Sequence, residues 1–65
     1  MDKYVVYAYV RGNKSTLFPV LLEKCIDFPA AERWKEYWSV KFDDVFISDI
    51  YDWQRYISND YLRVN

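Results

Sequence analysis

Apolar and polar positions change their spacing several times along this chain, and each change marks an element. Residues 3–11, KYVVYAYVR, are rich in β-branched and aromatic side chains and read as a strand. Alternation sends Tyr4, Val6, Ala8 and Val10 to one face and Val5, Tyr7 and Tyr9 to the other. Both sets are largely apolar, which fits a central strand, or one covered on one face and aromatic on the other. GNKS, residues 12–15, holds the only glycine and reads as a hairpin turn. TLFPVLLEKCI, residues 16–26, returns as a second strand. Pro19 cannot donate to a ladder, so this strand lies at an edge or is bulged there.

The period then shifts to that of a helix. DFPAAERWKEYWSVKF, residues 27–42, starts with Asp27 as a plausible N-cap and carries Pro29 in its first turn. Ala30, Trp34, Tyr37, Trp38 and Lys41 share a stripe, with Ala31 beside it, which is expected to face the core. Glu32, Arg33, Lys35 and Glu36 cover the other side. DDVFIS, residues 43–48, reads as a short third strand. In SDIYDWQRYISNDY, residues 48–61, Ser48 or Asp49 can cap a second helix over 49–58. Ile50, Trp53 and Ile57 recur there at helical spacing. YLRV, residues 61–64, reads as a final short strand. The order β-β-α-β, then a short helix, predicts a single α+β domain. It is a small three- or four-stranded, mainly antiparallel sheet with one long helix packed on it.

A chain of 65 residues buries only about 60% of its unfolded surface, so its stability is marginal by default. With one cysteine, Cys25, and no histidine it has neither an internal disulfide nor a structural zinc site of its own. Its 14 aromatic residues offer a substitute, since each large ring buries roughly 150–250 Å². A lone cysteine fits a reducing cytosol. The N-terminus reads as no signal peptide, and no apolar run is long enough for a membrane span. A cytoplasmic chain is therefore expected, in the host cytoplasm if it is phage-encoded.

Charge sharpens the picture. Residues 1–40 carry six basic and five acidic side chains; residues 41–65 carry three basic and five acidic, so the acidic tilt lies in the C-terminal third. That tilt favours a basic partner over phosphate.

Catalysis finds little support. The commonest general base near neutral pH, histidine, is absent. Cys25 reads as a half-buried strand cysteine. Asp43 and Asp44 are neighbours and would point to opposite faces of a strand. A single glycine makes no phosphate loop, and the carboxylates at 43, 44, 49 and 52 lack the spacing of a calcium loop. The expectation is a non-enzyme without cofactor or metal.

Two binding readings remain, with a homodimeric structural module as a third. VVYAYVRG looks like an aromatic strand of an RNA-recognition motif, with Tyr7 and Tyr9 presenting both rings on one face and Arg11 and Lys14 beside them. A net charge of −1 opposes it, as does the competing expectation that Tyr7 and Tyr9 pack under the C-terminal helix. For protein binding, a helix over 49–58 turns Ile50, Trp53 and Ile57 inward and Tyr51, Asp52, Arg55 and Tyr56 outward. Tyr and Arg are enriched at interface hot spots, and Asp speeds encounter with a basic surface. The candidate partner-binding set is Asp43, Asp44, Asp49, Tyr51, Asp52, Arg55, Tyr56 and Asp60.

The segments YVVYAYV, FPVLLEKCIDF, PAAERWKEYW and DVFIS, in this order, resemble small bacteriophage-encoded inhibitors of host machinery, of the RNA-polymerase-inhibitor and anti-CRISPR kinds. The resemblance is one of size and order. It implies a non-catalytic inhibitor that occludes a host protein or nucleoprotein. Any placing of carboxylates where nucleic-acid phosphates would lie is then local to residues 43–60.

Overall fold

The computed structural model describes residues 1–12 and 16–58. Three strands, β1 (Tyr4–Arg11), β2 (Leu17–Cys25) and β3 (Val45–Asp49), and two helices, α1 (Phe28–Trp38) and α2 (Ile50–Tyr56), make an α+β arrangement. The sheet order is β2-β1-β3, with β1 central and antiparallel to both neighbours. β2 and β3 therefore run parallel to each other, and α1 connects them by passing over one face of the sheet.

The central place of β1 follows from its two apolar faces. Val5, Val6 and Ala8 are fully buried, although Val5 points away from the other two. Burial of a valine side chain stabilises by about 1.5–3 kcal/mol, and β1 gains this on both sides. On the α1 face, Val6, Ala8, Cys25, Ala31 and Val45 form the core, flanked by Tyr4, Leu22, Trp38, Phe42 and Ile47. Ala30 and Ala31 let α1 approach the strands closely, and Trp38 and Phe42 fill the space past its last turn. On the opposite face, α2 lays Trp53 against Tyr7, with ring centroids 4.8 Å apart.

The hairpin is closed by Gly12 N donating to Thr16 O at 2.6 Å. Gly12 is needed for space. A Cβ there would sit 2.6 Å from Cε1 of Phe18. Pro19 lies on an edge strand, as expected. The irregularity falls elsewhere: Val6 pairs with Glu23 but Tyr7 with Leu21, which leaves Leu22 as the extra residue of a bulge.

α1 is shorter than the 27–42 read from the sequence. Asp27 caps it, its Oδ1 accepting from Ala30 N at 2.9 Å. At the other end the Ser39 hydroxyl donates to Lys35 O at 2.7 Å, and the chain turns so that Phe42 tucks under. Lys41 is thus outside the helix and exposed. β3 begins two residues later than expected, leaving Asp43 and Asp44 in the approach to it. The strand expected over 61–64 lies outside the described residues.

Candidate functional site

α2 carries Tyr51, Asp52, Arg55 and Tyr56, half of the expected partner-binding set. Asp49 caps it, accepting from Tyr51 N at 2.8 Å, and Trp53 anchors it, only 8% exposed. A helix of seven residues is marginal alone, so docking of Trp53 on Tyr7 is what holds it. The helix runs back along the sheet from the Tyr4 end toward the Tyr9 end. Residues three apart on α2, Trp53 and Tyr56, meet residues two apart on β1, Tyr7 and Tyr9. The helical rise of about 4.5 Å falls short of the strand's roughly 6.6 Å, and the long tyrosine side chains span the difference.

The predicted outward set divides. Tyr51 is 68% exposed, and Asp52 and Arg55 stand beside it, 3.9 Å apart and both open to solvent. So loose an exposed pair adds little stability. Tyr56, expected on the outer side, is instead half-buried. Its ring leans on Trp53 and its hydroxyl hydrogen-bonds the Tyr9 hydroxyl at 2.7 Å. At about 100° per residue, position 56 lies only about 60° from Trp53 on the helical wheel, close enough to the inward stripe to reach the sheet. Asp49 spends one carboxylate oxygen on the cap. Asp43 and Asp44 are exposed at the other end of β3, around a hollow of about 370 Å³ that Arg11 and Lys41 also line. They do not join Tyr51, Asp52 and Arg55 in one patch; they bracket β3 from the far end. Asp60 lies outside the described residues.

Tyr7 and Tyr9 do not form an open stacking platform. Tyr7 stacks on Phe46 at 5.5 Å and touches Trp53, while Tyr9 meets Phe46 edge-on at 5.8 Å. Burial, and secondarily the neighbouring Tyr9 phenol, push the Tyr7 hydroxyl above its usual ionisation range. Arg11 is exposed, and Lys14 lies outside the described residues. Cys25 is buried more deeply than expected, at 3% exposure. Burial first, then the carboxylates of Glu23, Asp2 and Asp27, raise its pKa and keep it a protonated thiol, the opposite of what a nucleophile needs. Among the described residues no cluster of metal-ligating side chains forms, and no helix is long and apolar enough to cross a membrane.

Two features escape a reading of the sequence. The first is an aromatic flank on α1. Trp34 and Tyr37, expected inside, are 40% and 52% exposed, in edge-to-face contact at 5.5 Å. From Ala31, Trp38 is only about 20° round the helix, but Trp34 is about 60° and Tyr37 about 120° away on the same side. A stripe that wide cannot all face one sheet, and this breadth was the available signal. The second is a hollow of about 900 Å³ between α1 and β3, lined in part by Phe28, Glu32, Glu36, Phe46 and Ile47. Phe46 and Ile47 point to opposite faces of the sheet, so a hollow bordered by both runs along the outer edge of β3.

No protein-family model matches the chain, and searches of the curated proteins and of the solved structures find no match.

Proposed function

We propose that this protein is a small non-enzymatic binding protein, of the kind phages and mobile elements encode, which occludes a partner protein with a basic surface. The observation that carries this reading is the division of labour within α2. Trp53 and Tyr56 hold the helix to the sheet, and Tyr51, Asp52 and Arg55 are left exposed on the side facing solvent. Exposed Tyr and Arg beside a carboxylate combine contact area with complementarity to cations. Asp49 adds negative charge at the start of α2, while Asp43 and Asp44 stand apart at the other end of β3.

A stacking role for Tyr7 and Tyr9 is less well supported, because a base would have to displace Trp53 and Phe46 to reach them.

The test is capture of partners by the tagged chain from nuclease-treated bacterial lysate, comparing the native protein with Tyr51→Ala/Asp52→Lys. These two positions avoid the cap. A stoichiometric protein partner lost in the double variant is the expected result. Retention of every partner by the variant, or recovery of nucleic acid alone without nuclease, would overturn the reading.

A further inference from the structure

The two edges of the sheet are not equally protected. β2 carries the usual guards against pairing with another chain: Pro19, a bulge at Leu22, and the charged pair Glu23 and Lys24. β3, VFISD, has no proline, glycine, lysine or bulge, and among the described residues no strand pairs with its outer side. Along that side runs the hollow beneath α1. Ile47 and Phe28 offer apolar surface toward one face of the sheet, and Phe46, 40% exposed, offers it toward the other.

Charge selects the occupant. Asp43 and Asp44, with Arg11 and Lys41 beside them, precede β3, and Asp49 ends it, so both ends of the open edge carry carboxylates; in the hollow itself Glu32 and Glu36 are balanced by Arg33 and Lys35. A second copy added antiparallel would bring its Asp43–Asp44 end against Asp49, and the reverse at the other end, so like charges would meet twice. An extended segment with apolar residues at its centre and Lys or Arg at its ends meets complementary charge instead.

We propose that the outer edge of β3 takes up an extended, basic segment of a partner protein as a fourth strand. Backbone hydrogen bonds supply the attachment, and the hollow under α1 accepts alternate side chains. This rests on the protein-binding reading above and gives the partner segment a conformation and a charge.

The experiment titrates the isotopically labelled full chain with the peptide KKITVTIKK and follows its backbone amides by NMR. Saturable shifts concentrated at residues 45–49 are expected, with slowed exchange of the outward amides of β3. The peptide EEITVTIEE should bind at least roughly tenfold more weakly at low salt. Of two KKITVTIKK peptides N-methylated at alternate residues, one should lose binding and the other retain it, since only one set of N–H groups faces the edge. Several results would overturn the proposal: no saturation, equal binding of both charge forms, or indifference to both methylation patterns. So would β3 shifts that depend on protein concentration without peptide, which assign the edge to a second copy. Binding seen only after deletion of residues 59–65 would assign it to the chain's own C-terminus. If the peptide fails while Tyr51→Ala/Asp52→Lys still abolishes partner capture, the α2 surface stands and the strand edge falls.

Discussion

The phenol oxygens of Tyr9 and Tyr56 lie 2.7 Å apart, joining the central strand to the last turn of α2 across 47 residues of chain. With Trp53 on Tyr7, this contact fixes the angle at which α2 leaves β3, and so the direction in which Tyr51, Asp52 and Arg55 point. Replacing Tyr9 by Phe removes one hydroxyl and leaves the ring, so the expected loss is about 0.5–1.5 kcal/mol. In a double-mutant cycle, Tyr9→Phe with Tyr56→Phe should cost less than the sum of the two, measured from urea midpoints. Strict additivity would mean that the hydroxyls do not interact in solution.

A second expectation concerns the hairpin. Gly12→Ala places a methyl 2.6 Å from the Phe18 ring, closer than carbon atoms approach without something moving. Overpacking costs roughly 1–3 kcal/mol, against a gain of about 0.4–1 from stiffening the unfolded chain. The net should be destabilising by about 1 kcal/mol. Phe18→Leu in the Gly12→Ala background should recover part of it, because the smaller side chain vacates the contact. A Gly12→Ala protein as stable as the parent would show that Phe18 swings aside freely.

How far the sequence leads is plain from particular residues. Asp27 as a cap, Pro19 at an edge, the two faces of β1 and the inward turn of Trp53 were all legible, because each depends on local geometry or simple alternation. The orientation of Tyr56, the exposure of Trp34 and Tyr37, and the open edge of β3 were not. Each depends on how wide a surface the sheet offers and on which neighbour a strand lacks. Neither is written in the period of a segment. The same limit separated the aspartates: 43, 44, 49 and 52 are close in sequence, yet the length of β3 holds the first two apart from the others.

Alkaline pH should weaken the fold in two steps. Cys25 and Tyr7 keep their protons in the folded protein beyond their ordinary values of 9.0 and 10.0, in both cases chiefly through burial. Once pH passes the ordinary value, the unfolded chain releases the proton that the folded chain still holds, and ionisation draws the equilibrium toward unfolding. Stability should therefore be level with respect to these groups below about pH 9 and fall above it. Cys25→Ala should remove the earlier part of the fall, and Tyr7→Phe the later part. Urea midpoints across the alkaline range read this directly. An unchanged slope in both variants would assign the alkaline loss to other groups.

The last prediction separates the two duties of Asp49. Its side chain caps α2 by accepting from Tyr51 N, and its charge lies at the end of the β3 edge. Asn caps a helix about as well as Asp but carries no charge, whereas Ala does neither. Asp49→Asn should therefore change stability by no more than a few tenths of a kcal/mol, and Asp49→Ala should cost about 1 kcal/mol. Asp27→Ala, which removes the cap of α1, sets the scale for a cap whose helix is held by the main core. Binding of a basic partner or of KKITVTIKK should fall by a similar factor in Asp49→Asn and Asp49→Ala, since both lose the same charge. If binding follows stability instead, weakened in the Ala variant and intact in the Asn variant, then the partner reads the position of α2. The charge at the strand end would then be incidental.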